Sequence, residues 1–420
     1  MPNKTVLVTG ATGLLGRQVV KAFERAGGWD VVGTGLTRAD PAQGTLKVDI
    51  TDAGAVEKVL ESAANRHPDT CASQPEATKA LNVTATSLLS HLCTARRIVL
   101  LYISTDYVFP GTPGDAPYAP TAPTAPPNIY GATKREGEIA LLEATKAHPG
   151  LGVVLRVPVL YGSVSAESGN AESAVNVLVD AVWKAQQQRV VMDDWAIRYP
   201  TNTEDVGRVA RDVVALYVDN LDDETATRQL PPILHFSSED RYTKYGICEL
   251  LAADVLGLPL SPSSSTASSS SPSESHEVGM VANKEGNDPA SAVQRPYDCH
   301  LDTAVLKDLG IDVSTMSFRD WWYVIAQSSS CLFSLFSFLS FLFSLYLNSH
   351  LISPHLISHP VLPHHHIHSP HQSHQSQRNE QTNKLTNRPI TSPNQTGGAN
   401  SKPSDDRCPP PQRKPKKSNE

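Results

Sequence analysis

The chain has 420 residues, 40% of them hydrophobic and 19% charged, enough for one large core or two modest ones. Its formal charge of −7 hides a change of character near Gln327. Up to there, 27 basic and 39 acidic side chains leave about −12, which argues against a nucleic-acid partner; beyond it, nine basic residues meet four acidic ones. The six cysteines are scattered without a CxxC pair, which suits a reducing compartment and offers no metal framework, so no metal site is expected.

MPNKTVLVTG runs straight into a strand, so no signal or transit peptide is expected and the expected location is the cytoplasm. The apolar run Thr5 to Gly10 is followed by ATGLLGRQVVKAFERAG, where Gly10, Gly13 and Gly16 form a GxxGxxG turn that opens an amphipathic helix. Small residues there let the backbone approach a pyrophosphate, and the free N–H groups of the helix start favour an anion. The pattern predicts a dinucleotide site at the head of a Rossmann-type, doubly wound parallel α/β sheet. The second strand, Asp30 to Arg38, should choose the cofactor, because NAD sites place Asp or Glu near its end. Here it ends in Gly33, Thr34 and Gly35, and the charges nearby are Arg38 and Arg17. Arginines without a carboxylate suit a 2′-phosphate, so NADP is expected; solvated surface charges are the plainer alternative. Asp49, closing a third strand in LKVDITD, either faces the adenine or caps a helix.

The alternation of strand and helix then fails once. AGAVEKVLESAANRHPD passes from a helix (about Ala53 to Glu61) into a loop, and QPEATKALNVTATSLLSHLC is helical again. A strand missing there would leave buried backbone groups beside the first strand without ladder partners. A lost segment of roughly ten residues between Glu61 and Ser62 explains the pattern, since two helices in succession cannot wind a parallel sheet. In the loop, His67 and Asp69 read as hydrogen-bonding residues, and Asn82 reads as a brace for strand ends.

RIVLLYISTDYVF (Arg97 to Phe109) is a further buried strand with Ser104 and Thr105 at its C-terminal end, where open parallel sheets bind ligands. A proline-rich loop follows, then NIYGATKREGE (Asn128 to Glu138), whose Tyr130 and Lys134 lie one turn apart on one helix face. Together these make a carbonyl-reduction set. Thr105 would orient the carbonyl, Tyr130 would donate the proton, and Lys134 would lower the tyrosine pKa and hold the nicotinamide ribose. Farther on, Arg156 could grip a phosphate or form a structural ion pair. Trp195, Arg198 and Tyr199, in MDDWAIRYPTN, fall in a turn that would line the substrate pocket; ligand contact and lobe packing both stay open.

From Thr5 to Trp322 these residues resemble the extended short-chain dehydrogenase/reductase family, and STDYVF with NIYGATKREGE resembles its dTDP-4-dehydrorhamnose reductase branch. A closer similarity is to the regulatory β subunits of methionine adenosyltransferase in that branch. It is carried by GATGLLGR (10–17), SAANRHPD (62–69), ALNVTAT (80–86) and LRVPVLYG (155–162), and in the variable lobe by ESAVNVLVD (172–180), MDDWAIRYPTNTEDV (192–206) and TKYGICELLA (243–252). The resemblance implies that Thr12, Leu14 and Leu15 join Gly10, Gly13, Gly16 and Arg17 in the cofactor turn, with Ala63 and Ala64 as the family's Ala-Ala loop. It also implies an NADP-binding protein that associates with the catalytic subunit of methionine adenosyltransferase and modulates it. The runner-up is NADPH-dependent reduction of a nucleotide-linked 4-keto sugar, since the family's regulators keep Thr105, Tyr130 and Lys134.

The expected organisation is one unit over residues 1–327: a Rossmann part to about 157, then mainly a smaller substrate lobe over 158–327 that carries a serine-rich insert at 260–275. Residues 328–420 read as a disordered low-complexity tail. Within the tail, CLFSLFSFLSFLFSLYL (Cys331 to Leu347) has no charge but falls short of the roughly 20 apolar residues of a membrane span. Its Ser, Phe and Leu alphabet is what pyrimidine-rich codons encode, as in a translated non-coding tract. A membrane partner is not expected. HHHIH (His364 to His368) reads as compositional bias, and RKPKK (Arg413 to Lys417) as a solvated basic end.

Overall fold

The apolar runs at the head of the chain become parallel strands because they are too short for helices and end in glycine turns. The computed structural model describes residues 3–40, 45–49, 52, 55, 78–260, 278–288, 290, 291 and 293–327. All of them belong to a first unit, Met1–Leu351; a second, Ile352–Glu420, lies outside the described residues, as do Cys331 to Leu347, the histidine cluster and the serine-rich insert after Leu260.

Strand β1 (Lys4–Val8) leads through the glycine turn into α1 (Leu14–Ala26), and β2 (Trp29–Gly35) returns parallel to β1 with Lys4 opposite Trp29. β3 (Thr45–Lys47) adds to the far side of β2, with Thr45 opposite Gly33. A wide helical turn, Ala80–Ala85, continues into α2 (Thr86–Ala95), followed by β4 (Leu100–Thr105), α3 (Ile129–Thr145) and β5 (Gly152–Val157). Beyond β5 come β6 (Leu160–Tyr161), α4 (Leu178–Ala185), β7 (Arg189–Asp193), β8 (Thr201–Asn202), α5 (Thr203–Asp219) and α6 (Glu224–Gln229). Then come β9 (Ile233–His235), α7 (Lys244–Leu250), β10 (Gly279–Asn283), α8 (Ala304–Asp308) and a last helical stretch over 318–327.

The strands form two parallel three-stranded ladders, β3–β2–β1 and β4–β5–β9. Under the second ladder, Val153, Leu155, Val157 and Leu234 pack on Val206, Val209, Val213 and Tyr217 of α5. α5 also crosses α1 closely: a Cβ on Gly207 would sit 2.7 Å from the Gln18 carbonyl oxygen, so glycine is required at the crossing. A second lobe has its own core, in which Tyr161 meets Phe318 and Trp321 edge-on at ring separations of 4.8 and 5.1 Å. Parallel pairing of β7 with β10 closes that lobe.

Among the described residues, β1 pairs only with β2, and β4 only with β5. The facing sides of β1 and β4 border a cavity of about 940 Å³. The sequence places its missing strand between the helices that precede β4. Most of the first helix and the loop after it, including His67 and Asp69, lie outside the described residues, but the break between the two ladders falls where that strand would belong.

Candidate functional site

Gly10 adopts φ +60° at the end of β1, and a Cβ on Gly16 would lie 2.0 Å from the Gly10 carbonyl oxygen. Both glycines are therefore needed to fold the turn tightly onto α1. Gly13 is the N-cap of α1 and brings no side-chain acceptor, so the first amide groups of the helix, from Leu14 onward, lack a capping partner. A glycine cradle ending on uncapped amides fits the pyrophosphate of a dinucleotide. The Leu14 side chain is buried, and Leu14 and Leu15 both line the cavity, leaving the polar backbone as the binding surface. Thr12 lies against β2: a Cβ on Gly35 would come within 3.0 Å of its hydroxyl.

The two arginines of the cofactor reading meet at one carboxylate. Arg17 is bidentate to Glu172 at 2.9 and 2.8 Å, and Arg38 reaches the same carboxylate at 2.8 Å. Burial would push the Glu172 carboxyl up, but hydrogen bonds from Arg17, the Ser165 amide and Arg38 outweigh it and hold it at about 2. Glu172 was not legible as a site residue in the sequence, since it stands 155 positions from Arg17. Asp49 is exposed just beyond β3, and its carbonyl accepts from the Asp52 amide at 3.2 Å. Ala63 and Ala64 lie outside the described residues.

At the C-terminal end of β4, Thr105 donates to Asp106 at 2.9 Å and accepts from the Tyr107 amide. Asn128 caps α3 by accepting from the Gly131 amide at 2.9 Å. Gly131 lets the helix start press against the strand end, because a Cβ there would lie 2.1 Å from the Tyr107 carbonyl oxygen. This close approach brings the Tyr130 ring edge-on to Tyr107 at 6.1 Å. Lys134 is buried, donates to the Ile103 carbonyl at 2.6 Å and lies 4.2 Å from the centre of the Tyr102 ring. Thr105, Tyr130 and Lys134 all line the cavity, so two distant motifs converge on one space.

Asp106, Lys244 and Arg295 at that space were not singled out in the sequence, whereas Arg198 was. Burial pushes the Asp106 carboxyl up to about 7, against a hydrogen bond from Thr105 and the charge of Arg198. Its place beside Thr105 in STDY was the available signal. Arg198 also lines the cavity, with Lys244 and Arg295; its buried Nη2 lies 3.8 Å from the Asp193 carboxylate and makes no hydrogen bond among the described residues. Trp195 and Tyr199 pack instead within the lobe, against Tyr297 at 5.1 Å and His300 at 4.1 Å. Arg156 sits inside β5 and forms a bidentate pair with Glu138 at 2.9 and 2.7 Å, which favours the structural reading. Asn82 bonds Thr133 of α3 at 3.0 Å, bracing helix to helix where a brace to strand ends is expected.

The glycine cradle, the parallel ladders and the hydroxyl, tyrosine and lysine beside one cavity define a Rossmann-type α/β fold with a candidate dinucleotide site. Solved structures share that fold: a dTDP-4-dehydrorhamnose reductase from Bacillus anthracis, in complex with NADP, superposes with a TM-score of 0.56 at 18% identity, covering 76% of this chain and 97% of its own. The chain belongs to the RmlD substrate binding domain family, whose model matches residues 4–324. It is 35% identical over 328 residues to methionine adenosyltransferase 2 subunit beta of Pongo abelii, covering 75% of this chain and 85% of that one. A dTDP-4-dehydrorhamnose reductase of Streptomyces griseus is 38% identical over 171 residues, 39% of this chain and 52% of its own length.

Proposed function

We propose that this chain is an NADP-binding regulatory subunit that associates with the catalytic subunit of methionine adenosyltransferase in the cytoplasm. The observation that carries the reading is the 35% identity to the β subunits, which extends across 85% of their length and so spans both lobes. The reductase similarity at comparable identity covers only 39% of this chain. In the cofactor half, the Gly10–Gly16 turn and the α1 amides would receive the pyrophosphate. Arg17 and Arg38 would receive the 2′-phosphate.

The second reading, reduction of a nucleotide-linked 4-keto sugar, is favoured by the convergence of Thr105, Tyr130 and Lys134 on one cavity. When bound, NADPH supplies the hydride. Thr105 would orient the carbonyl oxygen, Tyr130 would deliver the proton from its hydroxyl, and Lys134 would favour the tyrosinate through its charge. The cationic groups Arg198, Lys244 and Arg295 at the same cavity would hold the substrate's diphosphate.

Co-purification with methionine adenosyltransferase and NADPH oxidation with a dTDP-4-keto sugar, run side by side, separate the two. Co-purification without turnover is the expected result. Turnover that disappears in Tyr130→Phe, with no co-purification, would overturn the regulatory reading.

A further inference from the structure

Glu172 occupies the place that the two arginines offer to a phosphate. It ends a short turn of the second lobe, and its side chain is 2% exposed. Four hydrogen bonds converge on its carboxylate: two from Arg17, one from Arg38 and one from the Ser165 amide at 3.0 Å. Three of the four come from guanidinium groups, the donors best suited to phosphate oxygens. Arg38 Nη1 also donates to the hydroxyls of Ser165 and Ser168, at 3.2 and 2.8 Å.

Arg17 does not depend on Glu172 alone for its position, and Arg38 is also held by the Ser165 and Ser168 hydroxyls of the same segment. Arg17 is held independently by the carbonyls of Thr12 and Ser163, at 2.8 and 3.0 Å, and the first of these belongs to the glycine turn itself. The guanidinium pair is therefore prebuilt at the nucleotide turn, with the carboxylate as its counter-ion. A 2′-phosphate arriving at the same Nη groups would stand beside a buried negative charge, and like charges in a poorly solvated space repel strongly.

We propose that Glu172 is a displaceable internal anion: it sets the affinity and selectivity of the site for a 2′-phosphorylated dinucleotide, and its release on binding loosens the 163–173 segment, which then keeps only its serine contacts to Arg17 and Arg38. This rests on the NADP reading above. Glu172 and the Ser173–Val175 stretch line the same cavity as Tyr130 and Lys134, so release would carry cofactor occupancy into the wall of the second lobe. A regulator that keeps a cofactor site would gain from it a means of reporting nucleotide state.

The test uses the full chain and its Glu172→Gln variant. Calorimetric titration with NADP, NAD and adenosine 2′,5′-bisphosphate is paired with hydrogen exchange of residues 163–173 in the wild type, with and without each ligand. Glu172→Gln is expected to bind NADP and the bisphosphate at least tenfold more tightly and NAD within about twofold. In the wild type, NADP but not NAD should accelerate exchange at Ser165, whose amide Glu172 holds; this arm stands even where the variant folds poorly. NADP binding that is unchanged or weaker in the variant, or exchange at 163–173 that slows on NADP binding, overturns the proposal and leaves the cofactor reading standing. Failure of every nucleotide to bind the folded wild type removes the cofactor reading, and the proposal falls with it.

Discussion

Breaking the Arg156–Glu138 pair should cost far more than deleting it. Both side chains are 3% exposed, and Glu138 receives two guanidinium hydrogen bonds plus one from Ser104. Arg156 Nη1 further donates to the Pro120 carbonyl at 3.2 Å, and its guanidinium lies 5.1 Å from the centre of the Phe109 ring. Glu138→Met leaves a guanidinium buried without its counter-charge, a loss of about 3–5 kcal/mol. At about 2 °C per kcal/mol for a body of this size, Tm should fall by roughly 6–10 °C. Arg156→Met strands the carboxylate and should cost a similar amount. The Glu138→Met/Arg156→Met double variant strands neither charge. Its loss should stay within about 1–3 kcal/mol, the cost of leaving the Ser104 and Pro120 groups unpaired. Thermal and urea unfolding of the four proteins gives the coupling energy directly. A double variant that loses the sum of the two single losses would refute the reasoning.

Asp106 makes stability pH-dependent in the less usual direction for a carboxylate. Its folded pKa, near 7, exceeds the ordinary 3.8, so the native state keeps a proton that the unfolded chain releases, and stability falls as pH rises from about 4 through 7. Asp106→Asn keeps an acceptor for Thr105 but removes the titration; it should melt higher than wild type at pH 8, with the gap closing toward pH 4, and equal gaps at both pH values would count against burial as the cause. Inserting a five-residue Val/Ile strand between Glu61 and Ser62 should raise Tm, since burying each such side chain in the cavity contributes about 1.5–3 kcal/mol before ordering costs. A lower Tm, with no loss of exposed apolar surface by dye binding, would mean that the space between β1 and β4 does not accept a strand.

The fold of the N-terminal half was legible because its signals are local. The glycine turn, the apolar runs and the helix cap at Asn128 each act within a few residues of themselves, and local backbone sterics decide them. The convergence of Thr105 with Tyr130 and Lys134 was legible at one remove, because strand ends of a parallel sheet share an edge and NIYGATK begins the helix that packs there. What stayed hidden depends on contacts across the lobe boundary. Glu172 follows an unremarkable serine and glycine stretch, and only the folded chain brings it to Arg17 and Arg38. Arg156 could be read as a ligand contact only while Glu138 was a helix residue with no known face. Trp195 and Tyr199 failed to reach the cavity for a similar reason: an aromatic residue in a turn can face the ligand or its own lobe, and the packing of Tyr297 and His300 decides for the lobe.

The break between the ladders bears on the cavity itself. A parallel strand exposes amide and carbonyl groups on both edges, and in a doubly wound sheet the inner strands satisfy both. Here β1 and β4 each pair on one edge among the described residues, although both contribute apolar side chains, Leu7, Val8, Leu101 and Ile103, to the space between them. That space opens without interruption toward Thr105, Tyr130 and Lys134, and its roughly 940 Å³ lies near the upper end of ordinary ligand sites. Two functions therefore share one volume: the polar end, with the glycine turn, the tyrosine and the lysine, has the chemistry of a nucleotide pocket, whereas the part between the strands has the lining of a protein core. A strand placed between β1 and β4 would separate them, completing the ladders and leaving a pocket bounded by the strand ends. Cofactor affinity and fold stability in this chain are thus expected to rise together, because the same edge that has no partner among the described residues forms one wall of the site.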